Sequence, residues 1–65
     1  MKLQVKDSGA WRNVLHFDAS RAAEVEEAAA ALLRAAGGLR TSMRIADGDL
    51  MMAYCEQPAC TWRAA

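Results

Sequence analysis

Leu3 and Val5 alternate with Lys2, Gln4 and Lys6 over the first six residues, the period-two pattern of a half-buried strand, Met1 to Lys6. Asp7-Ser8-Gly9-Ala10 is turn chemistry, with glycine able to supply the positive φ of a tight reversal. Trp11 to Phe17 then reads as a second strand of β-branched and aromatic character. Its odd set, Trp11, Asn13, Leu15 and Phe17, is heavier than Arg12, Val14 and His16. A loop of Ser8 to Ala10 sets Asp7 opposite Trp11, Val5 opposite Asn13 and Leu3 opposite Leu15, so the odd residues of both strands share one apolar surface. A two-residue loop would instead set Val5 beside Arg12, and the odd loop is therefore the expectation.

From Ser20 to Gly38 the period changes. Ala22, Val25, Ala29, Leu32, Leu33 and Ala36 recur at spacings of three and four, one apolar stripe of an amphipathic helix. Ser20, or Asp18 two residues earlier, can cap it. Glu24, Glu26 and Glu27 lie toward its N-terminus and Arg34 in its last turn, as the macrodipole favours. Alanine, the best helix former, fills its middle. Gly37 and Gly38 can take the left-handed conformation that closes it.

Beyond the helix, Thr41 to Ala46 and Asp49 to Cys55 flank Asp47-Gly48, a strong hairpin signal. A two-residue turn there pairs Ile45 with Leu50, Met43 with Met52 and Thr41 with Tyr54 on the inner face. Ser42, Arg44, Met51, Ala53 and Cys55 then fall outside. Glu56-Gln57-Pro58 ends the strand, since proline cannot donate to a ladder. Residues 58–65 read as an irregular tail held by Trp62, after a single domain over 1–57.

The expected fold is α+β: β-β-α-β-β, one helix packed on one face of a four-stranded antiparallel sheet. The helix carries the chain across the sheet, so the third strand should run parallel to the second. Placing the first strand between them gives the order 2-1-3-4 with every neighbour antiparallel; 1-2-3-4 and 2-1-4-3 remain open.

Composition narrows the function classes. A chain of 65 residues buries only about 60% of the surface its unfolded form exposes, so the core is small and an enclosed pocket has little room. Lys and Arg balance Asp and Glu for a net charge of +0, which exerts no bulk pull on nucleic acid or an anionic membrane. No apolar run is long enough to span a bilayer. The N-terminal MKLQVKDSG lacks the apolar centre of a signal peptide, and two cysteines are too few for a disulfide scaffold. The cytoplasm is the expected location.

Segregation of charge is more informative than its sum. The face opposite the helix should carry Lys2, Gln4, Lys6, Arg12, Val14, His16, Arg44, Met51, Ala53 and Cys55, while Glu24, Glu26 and Glu27 stay on the helix. A basic open face can meet an acidic protein or a nucleic-acid backbone, although long cations also simply solvate an exposed sheet. Stacking on single-stranded bases would need aromatics there, and the expected registers turn Trp11, Phe17 and Tyr54 inward. Met51 beside Val14 and Ala53 makes an apolar strip near an edge strand, which suits homodimerisation.

Chemistry-bearing residues are sparse. Cys55 and Cys60, in CEQPAC, with His16 as the single histidine, fall short of the four ligands of a structural zinc site. Two free thiols are the expected state, ahead of a short-loop disulfide or redox pair. His16 has no positioned acid, because Asp18 serves the helix entry, and Ser8, Ser20 and Ser42 sit in no nucleophile motif. No catalytic, cofactor or metal residue is assigned.

WRNV, FDAS, the Ala/Glu helix and MRIAD, within Trp11 to Ala46, resemble a loose group of small bacterial and phage-type reading frames. Those share Trp-x-x-Val, Phe followed by Asp, Ser or Thr, a helix and an Arg-Ile/Val strand. Their functions are unknown, so the resemblance implies a fold and no activity; this chain departs by adding DLMMAYCEQPACTWRAA. The expectation is a small non-enzymatic interaction module, self-associating and phage- or prophage-related. The alternative is a weak nucleic-acid binder using Lys2, Lys6, Arg12 and Arg44.

Overall fold

The computed structural model describes residues 1–37, 41–56 and 61–65, with the backbone alone at Glu56. Among them lie β1 (Lys2–Asp7), β2 (Ala10–His16), a 3-10 turn (Ala19–Arg21), α1 (Ala22–Ala35), β3 (Met43–Asp47), β4 (Leu50–Glu56) and β5 (Thr61–Ala64). The strands make one five-stranded sheet in the order β2-β1-β3-β4-β5, with every neighbouring pair antiparallel. The α+β class and the order 2-1-3-4 are as expected. The fifth strand is a correction to the irregular tail. Its four residues are too short for alternation to register in the sequence. The strand stands because Cys55 faces Trp62 and Tyr54 faces Arg63 across β4. The Trp62 indole also donates to the Glu26 carbonyl at 2.7 Å. The strand stop at Gln57-Pro58 and the boundary after residue 57 lie outside the described residues.

Asp18, rather than Ser20, caps the helical segment: its side chain accepts from the Ser20 amide at 2.9 Å. That amide, and then the Ser20 hydroxyl, hold the Asp18 carboxyl below its ordinary range. The first turn is therefore 3-10, and the α-helix begins at Ala22. Gly37, at φ 91°, closes the other end and donates its amide to the Arg34 carbonyl at 3.1 Å. Gly38 lies outside the described residues. Ala29, Ala30 and Leu33 are buried with Val25 half-buried, whereas Leu32 is 60% exposed. Leu32 and Leu33 are neighbours about 100° apart on the helix, so one stripe cannot bury both. Leu33 wins because it is aligned with Ala29 and Ala30 at spacings of four and three.

The core is assembled from Leu3, Met43, Ile45 and Cys55 on the sheet and Ala29, Ala30 and Leu33 on the helix. Met1, Val5, Phe17, Val25 and Trp62 pack around it. The helix contributes Ala29, Ala30 and Leu33 to that cluster, two of them alanines.

Both hairpins depart from the expected register, each for the same pair of reasons. The first turns on Ser8-Gly9 alone, with φ 52° and 82°, the two positive angles of a type I′ turn. Asp7 thus faces Ala10, Lys6 faces Trp11 and Val5 faces Arg12. A bulge at Val14 then restores the expected pairing of Leu3 with Leu15. The second turns on Gly48-Asp49 rather than Asp47-Gly48, with positive φ at Gly48 and not at Asp49, as in a type II′ turn. A bulge at Met52 follows, and Ile45 faces Ala53, Arg44 faces Tyr54 and Met43 faces Cys55. Beyond the bulge β4 has therefore changed face: Ala53 and Cys55 are buried and Tyr54 faces away from the core, while Leu50 is 64% and Met52 37% exposed. Leu15, expected inside, is 44% exposed on the edge strand β2 and takes no part in the core.

Candidate functional site

Directly opposed residues of antiparallel neighbours point to the same face. The registers therefore define the side of the sheet away from the helix row by row. The central row runs Asn13, Gln4, Arg44, Tyr54, Arg63 across all five strands. Toward the first turn lie Lys6 and Trp11. On the other flank lie His16, Lys2, Ala46 and Met51. These rows bring Lys2, Lys6, Arg44 and Arg63 onto one side of the sheet.

Side-chain geometry ties the rows together. The Arg44 guanidinium lies over the Trp11 ring, 4.1 Å from its centroid, and the Lys6 ammonium is 6.0 Å from the same centroid. Arg44 Nε donates to Gln4 Oε1 at 2.7 Å, and Gln4 Nε2 donates to Asn13 Oδ1 at 2.9 Å. Gln4 is 8% exposed, so this relay satisfies a buried amide at both ends. It also fixes where the guanidinium sits, since one of its donors is committed to a group that cannot move. Ala46, fully buried although it faces away from the helix, sits between Lys2 and Met51, whose stems can cover it.

The structure therefore keeps Lys2, Lys6, His16, Arg44 and Met51 on the open face. It removes others. Arg12 stands opposite Val5 on the helix side and pairs with Asp7 at 3.3 Å. Val14 is the bulged residue of the edge strand, 45% exposed, and the register assigns it to neither face. Ala53 and Cys55 belong to the core. Four residues are gained: Trp11, Asn13 and Tyr54, expected inside, and Arg63, placed by the fifth strand. The signal for Trp11 was Ser8-Gly9 itself, which a two-residue turn can use. Tyr54 had no comparable signal, because LMMAYCE is apolar on both faces.

Cys55 is disulfide-bonded, which corrects the expectation of free thiols. The other cysteine of the sequence, Cys60, lies outside the described residues. The bond also removes the argument that cysteine usage gave for a reducing compartment, because disulfides persist in oxidising ones. Among the described residues no cluster of three or more His, Cys, Asp or Glu could hold a metal ion, and no helix is long and apolar enough to cross a membrane. Comparison with protein-family models, curated proteins and solved structures finds no match.

Proposed function

We propose that the protein is a non-enzymatic binding module that takes nucleic acid on the open face of its sheet. The observation that carries this reading is the interleaving of Trp11 and Tyr54 with Lys2, Lys6, Arg44 and Arg63 on one face. Cations supply phosphate contacts and aromatics supply base contacts, and the net charge of zero hides this because the acids of α1 face elsewhere. Titration of a labelled oligonucleotide at a series of salt concentrations tests it. Affinity should fall steeply with salt, and the Lys2→Gln/Lys6→Gln double variant should bind more weakly with a slope shallower by about 1–2. Absence of binding at low salt would eliminate the reading.

A second reading, self-association, has its own observation. Val14 and Leu15 are adjacent, 45% and 44% exposed, on the edge strand β2, whose outer backbone groups can pair with another strand. Sedimentation at micromolar and millimolar concentration should then show a dimer at the higher one, dispersed by Leu15→Lys. A monomer at both concentrations would sink this reading.

A further inference from the structure

We infer that the nucleic acid is single-stranded, and that its bases stack on two platforms of the open face, the Trp11–Arg44 pair and Tyr54. This rests on the nucleic-acid reading above and adds the form of the ligand and the groups that read it.

The shape of the face comes first. A duplex hides its base faces in its own stack and is read by an element that enters a groove. Here the helix lies on the opposite side of the sheet, and the open face presents strands side by side. What the face does offer is flat π-surface, which only an unstacked base can use. Trp11 does not stand alone: the Arg44 guanidinium is 4.1 Å from its centroid and is anchored by Gln4 at 2.7 Å. The guanidinium is layered over the indole, so the surface left for a base is the outer face of an arginine plane backed by an aromatic ring, and bases stack on guanidinium planes as well as on aromatic rings. The anchoring matters, because an arginine already ordered by Gln4 and Asn13 loses little freedom when a base arrives.

Tyr54 is the second platform, with Arg44 opposite on β3 and Arg63 opposite on β5. β2 and β4 are separated by three strand spacings, roughly 14 Å, so the two platforms would hold two bases of one short stretched segment crossing the strands. Lys6, beside Trp11, lies on that path and is placed for a phosphate contact, while Lys2 stands on the other flank of the central row. These contacts involve base faces and phosphates, which DNA and RNA share.

Fluorescence anisotropy with the full chain tests the inference, using labelled oligothymidine, an abasic strand of equal length and a duplex of equal charge. Oligothymidine should bind about tenfold or more tightly than the abasic strand. Trp11→Ala and Tyr54→Ala should each lose about tenfold, and Trp11→Phe much less. Arg44→Lys keeps the charge and loses the plane; it should weaken oligothymidine and leave the abasic strand unchanged. Circular dichroism establishes that each variant folds. In a Trp62→Phe background, Trp11 fluorescence should be quenched by oligothymidine and not by the abasic strand. Equal affinity for oligothymidine and the abasic strand, or a preference for duplex, overturns the inference while leaving the nucleic-acid reading intact. No binding to any of the three overturns both.

Discussion

Ile45→Ala should lower the melting temperature by roughly 15–25 °C, the consequence of about 3–4 kcal/mol lost from a small domain. Ile45 is 1% exposed on the central strand, with Leu3 and Ala53 opposite it on either side. Ala29, Ala30 and Leu33 complete its cluster. Those neighbours are short or already committed, so the space left by three heavy atoms cannot collapse, and a cavity term adds to the lost transfer energy. A chain of this size holds on the order of 3–10 kcal/mol in all. The substitution therefore removes a large share of it. Urea unfolding should show the midpoint falling with an unchanged m-value, and Ile45→Val should cost about 1 kcal/mol. A loss below about 1 kcal/mol for the alanine variant would mean that Ile45 is not the centre of the core.

The face assignment of β3 was legible in the sequence for the same physical reason that Ile45 is central. Met43, Arg44, Ile45 alternate without interruption, and any one-residue error would bury an arginine. The first four strands, the helix and their order followed from period and connectivity. The faces of β2 and β4 did not. Each contains an inserted residue, Val14 or Met52, and each follows a turn displaced from its expected residues. A bulge and a displaced turn are single-residue events, and a period-two pattern has no tolerance for them. Nor could composition arbitrate. In WRNVLHF and LMMAYCE both alternating sets contain apolar side chains, so either face could have been buried.

That failure fell on the face that the proposed binding would use. With Trp11 and Tyr54 turned inward the open face is a solvated basic sheet; with both turned outward it becomes a cationic surface studded with rings. Lys2, Lys6 and Arg44 were identifiable because cations avoid burial whatever the register. Rings can occupy either side, so their placement needed the turn geometry of Ser8-Gly9 and the pairing of Arg44 with Tyr54. The Gln4 relay was beyond reach for a different reason: its members lie on three strands, and sequence spacing says nothing about which polar groups meet across a sheet.

Trp62→Ala should cost about 2–3 kcal/mol and act locally before it acts globally. Trp62 is half-buried against the core, opposite Cys55, and its indole N–H donates to the Glu26 carbonyl at 2.7 Å. It is thus the side chain that fastens the outermost strand to the helix. β5 has one hydrogen-bonded neighbour, β4, and four residues; with Cys55 tied by its disulfide, it is the far end of β5, toward Ala65, that this anchor keeps from fraying. The Ala65 amide, which donates to the Met52 carbonyl at 3.1 Å, should lose hydrogen-exchange protection in the alanine variant. The Phe17 amide, bonded to the Met1 carbonyl at 2.9 Å across the sheet, should keep it. Trp62→Phe separates the two contributions: it retains most of the packing and gives up the indole donor, for about 1 kcal/mol. The effect should reach the open face as well. Arg63 alternates with Trp62 and stands opposite Tyr54, so a frayed β5 withdraws the cation beside the second platform. Oligothymidine affinity should then fall in Trp62→Ala and hold in Trp62→Phe. Unchanged exchange at Ala65 in the alanine variant would show that β5 is held by its backbone ladder and that Trp62 is not its anchor.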